Sequence, residues 1–346
     1  MTEEKDLTKN EVGYAKLEQK LGFDRIREAI AARCSTEYAA GRVADEKFST
    51  SASEITRRLR LADEMRLIMM FEESFPTNGY IDAIGFLRPL EKSSVSIDLL
   101  SLRKLKTTLE TLRRLMAFFA DVKDGVYPNL KRMASGIMSF AEVQRRIDGI
   151  LDKYSEVKDT ASDELYSIRK SLRDKEGAIS KRINVILRRA KEEGLVDSDA
   201  SVTMRDGKML IPVQAANKKK LSGFIYDESA SGKTTYIEPA EVVELDNEIR
   251  ELKFAEQREI VRILYEFTEF LRPYIPELLD AAVFIGEIDF LMAKAQVALD
   301  FICGMPIVSE NGELNLRKAR HPLLERNLRK EGRQIVPLSA TLTPQK

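Results

Sequence analysis

At 346 residues, with 32 % charged and 7 % aromatic side chains and no Trp, the chain exceeds one ordinary domain and suits long solvated helices better than a compact sandwich. The 56 basic and 56 acidic residues cancel, so total charge excludes no partner and only local charge informs. The single histidine, His321, removes most catalytic triads and metal clusters.

From Val12 to about Met70 the spacing predicts helices. Leu17, Leu21, Phe23, Ile26, Ala29 and Ile30 recur at helical intervals, and Ser53 with Glu54 opens a helix carrying Ile55, Leu59, Ala62 and Leu67. Phe75 to Pro89 reads as a loop with short elements. Ser96 is expected to cap the next helix, whose Leu99, Leu102, Leu105, Leu109, Leu112, Leu115 and Phe119 form one stripe. Cys34 and Cys303 sit in apolar helical contexts and read as reduced core residues of a cytosolic protein. No apolar run reaches the length of a membrane span, and the acidic start MTEEKD is not a signal peptide.

From Glu142 to Leu195 the pattern becomes coiled-coil-like, with Ile147, Leu151, Tyr154, Ala161, Leu165, Ile168, Leu172, Ile179, Ile183 and Ile186 spaced mostly by threes, fours and sevens. No proline interrupts it, so the expectation is a single helix of roughly 80 Å closed by Gly194. A second long helix, Glu241 to Leu271, carries Val242, Leu245, Ile249 and Leu252 on one face. Residues 165–195 hold nine basic and four acidic side chains, whereas residues 241–269 hold four basic and nine acidic. Opposite charge and matched length predict an antiparallel two-helix arm. Solvated faces with little pairing energy are the alternative.

Between the two helices, Asp206-Gly207, Asn217 to Lys220 and Ser229 to Gly232 are turn signals separating four short strands, expected as a meander. Phe224 and Tyr226, then Thr235 and Ile237, alternate as half-buried strands do. After Pro276 an apolar helix (Leu279, Ala282, Ile285, Ile288, Phe290) returns to the base, and Gly304 with Pro306 marks a boundary. ELNLRKARHPLLE then alternates like a strand. The last portion, about forty residues, is too short to bury a core of its own, so the chain is expected to stop inside a domain. The fold class expected is therefore mainly α. Residues 1–141 and 273–306 form a helical core, 142–199 and 239–272 a long antiparallel arm, 200–238 a small antiparallel β tip, and 307–346 the start of a further domain.

Ser231-Gly232-Lys233-Thr234 imitates the end of a phosphate-binding loop. The full pattern needs a glycine where Asp227 stands, and a helix where a strand is expected after Thr234. It reads as a hairpin turn. Residues 205–220 carry five basic groups and one acidic, making this the most cationic short segment. From charge alone, Arg205, Lys208, Lys218, Lys219, Lys220 and Lys233 form a lysine-rich surface that keeps sheet edges in solution; contact with nucleic-acid phosphates is the alternative. No catalytic or metal-binding residues emerge, and His321 before Pro322 reads as a structural hydrogen-bonding residue.

The stretches MLIPVQAANKKKLSGFIYDESASGKTTYIEPAEVVELDNEIREL and LRKARHPLLE resemble the bacterial MutS family, specifically its second type, and LEQKLGFDRIREAIAARCST resembles that branch's opening helix. The resemblance implies a core, a lever (the arm) and a clamp (the tip) that contacts DNA backbone through Arg205, Lys208, Lys218, Lys219, Lys220 and Lys233. It implies that residues 307–346 enter an ABC-type ATPase domain, with Ile335 and Val336 flanking the adenine. These 346 residues contain no Walker A or Walker B motif, so no cofactor is expected here; ATP and Mg would serve the full-length protein, an ATPase with a C-terminal Smr endonuclease domain. It further implies a cytoplasmic homodimer acting on branched DNA to suppress recombination. The alternatives are binding of collided ribosomes, which the same family suggests, and a structural coiled-coil module that binds another protein.

Overall fold

The computed structural model describes residues 16–344, so the helical start expected at Val12 lies outside the described residues. In chain order the principal helices of the first part are α1 (Phe23–Ala31), α2 (Glu37–Asp45), α3 (Ala52–Phe71), α4 (Leu99–Asp121), α5 (Pro128–Ala134), α6 (Ala141–Ile150) and α7 (Asp163–Glu192). Then come β1 (Thr203–Arg205), β2 (Lys208–Gln214), β3 (Gly223–Glu228), β4 (Thr234–Pro239), α8 (Ala240–Leu271), α9 (Ile275–Asp300), β5 (Leu314–Ala319), α10 (Pro322–Lys330) and β6 (Leu338–Leu342). The fold is mainly α with small antiparallel sheets. Two compact units result: Met1–Gln144 with Leu271–Lys346, and Arg145–Phe270.

Both ends of the chain build the first unit. Its α9 is apolar on nearly every side (Ile275, Leu278, Ile285, Ile288, Phe290), a composition that only an interior tolerates. It packs against α1, α2 and α3. Gly286 permits the closest approach, since a Cβ there would stand 2.3 Å from the Tyr38 ring. One turn on, the buried Asp289 carboxylate accepts from the Ser35 and Thr36 amides and the Thr36 hydroxyl, at 2.8–2.9 Å, and so anchors the start of α2. Two expected caps shift: Asp98, not Ser96, caps α4, and Ser51, not Ser53, caps α3. In each case the residue with extended backbone one position before the helix reaches the N3 amide. The strand expected through ELNLRKARHPLLE stops at Ala319. His321 Nδ1 accepts from the Leu324 amide, Pro322 takes the first helical turn, and α10 begins. Leu323 then packs with Val297 and Phe301.

In the second unit the single long helix expected from Glu142 to Leu195 is broken. Between α6 and α7 the chain makes a tight turn: Asp152 Oδ1 accepts from the Tyr154 and Glu156 amides, Ser155 takes a left-handed φ of 62°, and Leu151 bridges Val157. Ser162 then caps α7 by accepting from the Leu165 amide at 3.0 Å. Local Asp and Ser acceptors outcompete helix continuation here. Gly194, at φ 68°, does close α7, with the Leu195 amide donating back to the Ala190 carbonyl.

α7 and α8 run antiparallel. Polar pairs between them form a ladder, Arg182–Glu241, Lys175–Glu248, Lys253–Glu176 (3.6 Å), Arg169–Glu256 (2.7 Å) and Ser162–Glu259 (2.5 Å). Beneath it Ile168, Leu172, Ile179, Ile183, Leu187, Val242 and Ile249 make a continuous apolar seam. The opposite charges of the two segments are thus paired across the arm, over a hydrophobic interface that supplies most of the stabilisation.

Candidate nucleic-acid interface

The end of the arm where α7 stops and α8 starts carries β1–β4. Asp206 and Gly207 both have positive φ (48° and 78°), as a two-residue hairpin between β1 and β2 requires. The strand order is β1-β2-β4-β3, all antiparallel, not the sequential meander expected. The reason lies in burial. Ile211, Val213 and Ile237 of β2 and β4 join the apolar seam of the arm, so β4 takes the inner place. The last strand is also continuous with α8 through Pro239 and Ala240. Every residue of β3 is exposed, which corrects the expectation of a half-buried strand: Phe224 is 64 % and Tyr226 38 % accessible.

Ser229–Lys233 is the β3–β4 turn. Gly232 donates its amide to the Ser229 carbonyl at φ 67°, the Ser229 amide donates to the Thr234 carbonyl, and β4 follows. The phosphate-loop imitation is a hairpin turn. This turn and the Ala215–Asn217 turn lie at one end of the sheet, joined by the Ala215 amide donating to the Lys233 carbonyl at 2.9 Å.

Three of the six basic candidates are neutralised by strands distant in sequence. Arg205 pairs with Asp227 and stacks 3.7 Å from the centroid of Tyr236. Lys208 Nζ donates to Glu238 at 2.5 Å, and Lys218 to Glu228 at 3.2 Å. Lys219, Lys220 and Lys233 are exposed, and among the described residues no carboxylate pairs with them. The positive segment read from residues 205–220 is therefore smaller in space than in sequence. Asp227, Glu228 and Glu238 lie outside that window, and only the sheet pairing brings them onto it.

Glu238 is 3 % exposed, and its Oε1 has no donor while Oε2 takes Lys208. Burial, then the neighbouring Glu238 carboxylate, raise the Asp246 carboxyl above its ordinary range, against the opposing charges of Lys208 and Arg250. This is the tip's one perturbed acid–acid pair among the described residues, and spacing along the chain carries no signal for it.

Ile335 and Val336, the positions expected beside an adenine, lie in the segment before β6, where Val336 is 89 % exposed. Among the described residues no group of three or more His, Cys, Asp or Glu converges as metal ligands, and no helix is long and apolar enough to cross a membrane.

No family model matches the chain. It is 31 % identical over 316 residues to a protein named Endonuclease MutS2 from Alkaliphilus metalliredigens, covering 91 % of this chain and 39 % of that protein. A Clostridium perfringens protein of the same name is 33 % identical over 308 residues, 89 % of this chain and 39 % of the relative. A Bacillus subtilis protein named Putative endonuclease MutS2 is 30 % identical over 306 residues, 88 % and 39 %. The chain thus spans about two-fifths of the length of these relatives.

Proposed function

Because the chain belongs to the second type of the MutS family over 91 % of its length, we propose that its two-helix arm holds the β1–β4 sheet as a clamp on nucleic-acid backbone. The observation that carries this reading is the set of exposed, unpaired lysines, Lys219, Lys220 and Lys233, on the turns that bracket β3 at the arm's end. Backbone binding needs mobile cations and no base-reading side chains, which suits lysines on turns. Arg205, Lys208 and Lys218 contribute only where a phosphate displaces Asp227, Glu238 or Glu228 from them. Branched or double-stranded DNA is the substrate we assign, in the cytoplasm, within a longer homodimeric ATPase and endonuclease that suppresses recombination. The ATP and Mg chemistry, with Ile335 and Val336 beside the adenine, belongs to that same proposal.

The test is equilibrium binding of this chain to four-way junction and duplex DNA, comparing the unaltered sequence with a Lys219→Ala, Lys220→Ala, Lys233→Ala variant. The expected result is weaker binding of both DNAs in the variant. Equal binding would assign the lysines to solvation of the sheet edge. Ribosomal RNA offers the same phosphates, so ribosomes that displace junction DNA at lower concentration would move the substrate assignment to the ribosome.

A further inference from the structure

Strand β3 presents a feature that backbone binding leaves unused. Phe224 is 64 % exposed and Tyr226 38 %, on an edge strand with no neighbour beyond it among the described residues. Apolar rings of this size on an edge strand are a liability in water. Phe224 sits opposite Glu238 in the β3–β4 register, so the two share a face of the sheet with Asp227 and Tyr236.

The ring of Tyr226 is held in place. Its hydroxyl donates to Asp206 Oδ2 at 2.7 Å, and Lys208 Nζ stands 5.8 Å from its centroid. Tyr236 on β4 is already covered by the Arg205 guanidinium. Among the described residues no cation or ring covers Phe224. The strand spans about 20 Å at the usual rise per residue, and it is preceded by Lys219 and Lys220 and followed by Lys233. The carboxylates on the strand itself, Asp227 and Glu228, are engaged by Arg205 and Lys218. Exposed aromatic rings on a strand whose flanking turns carry unpaired cations, and whose own acids are paired, are the chemistry that accepts single-stranded nucleic acid. Duplex presents its phosphates but buries its base faces, so it leaves the rings idle.

We propose that β3 is a stacking site for unpaired bases, with Phe224 as the platform and Lys219, Lys220 and Lys233 holding the adjoining phosphates. The proposal rests on the backbone reading above and adds a preference for unpaired nucleotides to it. DNA and RNA share the chemistry, and either is accepted by rings that touch only base faces.

The experiment titrates this chain into a short single-stranded oligonucleotide carrying a fluorescent base analogue, made as DNA and as RNA, and into the matching duplexes. Phe224→Ala is expected to weaken single-strand binding roughly 5- to 150-fold, the value of one base stack, and to abolish the analogue's quenching. Duplex binding is expected to stay unchanged, and Phe224→Trp to retain single-strand binding. An unchanged melting temperature checks that Phe224→Ala folds, as the exposure of the ring leads one to expect. Single-strand affinity unaltered by Phe224→Ala, in a protein whose duplex binding still depends on the lysines, overturns the stacking site and leaves the backbone reading standing. Loss of duplex and single-strand binding alike in Phe224→Ala also overturns it, since the ring would then serve the sheet rather than a base. Indifference of both nucleic acids to the three lysines overturns the backbone reading, and this proposal with it.

Discussion

Replacing Asp246 with Asn is expected to stabilise the second unit at neutral pH. Glu238 is 3 % exposed, its Oε2 takes Lys208 at 2.5 Å, and its Oε1 has no donor. Asp246 is the neighbouring carboxyl, and its ionised form repels the Glu238 carboxylate. An Asn amide in the same place offers the Glu238 carboxylate a donor without the repelling charge. An unsatisfied buried acceptor costs about 1–3 kcal/mol, and because Lys208 already serves half the carboxylate we take the lower end, a gain of about 1 kcal/mol. The pH dependence fixes the sign independently. The Asp246 carboxyl titrates higher in the folded chain than in the unfolded one. Its stabilising, protonated contribution is therefore complete below the ordinary carboxylate range and is lost as pH rises through the folded value. The variant should thus exceed the unaltered protein at pH 7, and the advantage should shrink towards acid pH, where protonated Asp246 supplies the same donor. Urea unfolding at a series of pH values, followed by hydrogen exchange of the β2 and β4 amides, measures it. A variant less stable at pH 7, or an advantage that does not vary with pH, would refute the repulsion between Asp246 and Glu238.

Arg169 holds Glu256, Asp159 and the Val157 carbonyl at 2.7–2.8 Å with 21 % side-chain exposure, so Arg169→Ala should destabilise the second unit by about 2–3 kcal/mol and expose the 151–161 turn to exchange. Arg182 and Glu241 are each 52 % exposed, so Arg182→Ala should change stability by less than about 1 kcal/mol; equal losses in the two variants would contradict the ladder's ranking. At Gly223 a Cβ would meet the Glu238 carbonyl at 2.3 Å and Pro239 Cα at 2.9 Å, both backbone atoms that cannot yield. Gly223→Ala should therefore unzip the start of β3 from β4, seen as fast exchange of their ladder amides, and intact protection there would mean that the strands shift without loss.

The arm was legible because its two signals, apolar spacing and opposite net charge, are properties of whole segments and survive local exceptions. Ile168, Leu172, Ile179 and Ile183 lie in the seam as their intervals predict. The break after Ile150 was not legible, because Leu151 and Tyr154 continue the helical interval while Asp152 and Ser162 end it through hydrogen bonds, and Ser155 through a left-handed φ, that periodicity does not register. The turns of the tip were legible from Asp206-Gly207 and Gly232, residues chosen for positive φ. Strand order was not. Phe224 and Tyr226 alternate as well as Thr235 and Ile237 do, yet only the latter pair is buried, with Ile237 in the arm's seam. The candidate site suffered similarly, since Arg205 meets Asp227 and Lys208 meets Glu238 only once β2, β3 and β4 are paired. Net charge over a sequence window thus overstated the charge available to a ligand.

The salt dependence of DNA binding tests the clamp most directly. Removing one lysine that neutralises a phosphate should lower the slope of log affinity against log salt by about 0.9. For Lys219→Ala, Lys220→Ala, Lys233→Ala on junction DNA the expected slope is shallower by up to about three units, with affinity weakened alike on unrelated sequences. Arg205→Ala, whose guanidinium is held by Asp227, should change the slope much less. A triple variant whose slope matches the unaltered chain, or an Arg205→Ala slope that falls as far as the triple variant's, would contradict the claim that the unpaired lysines of the tip hold the backbone.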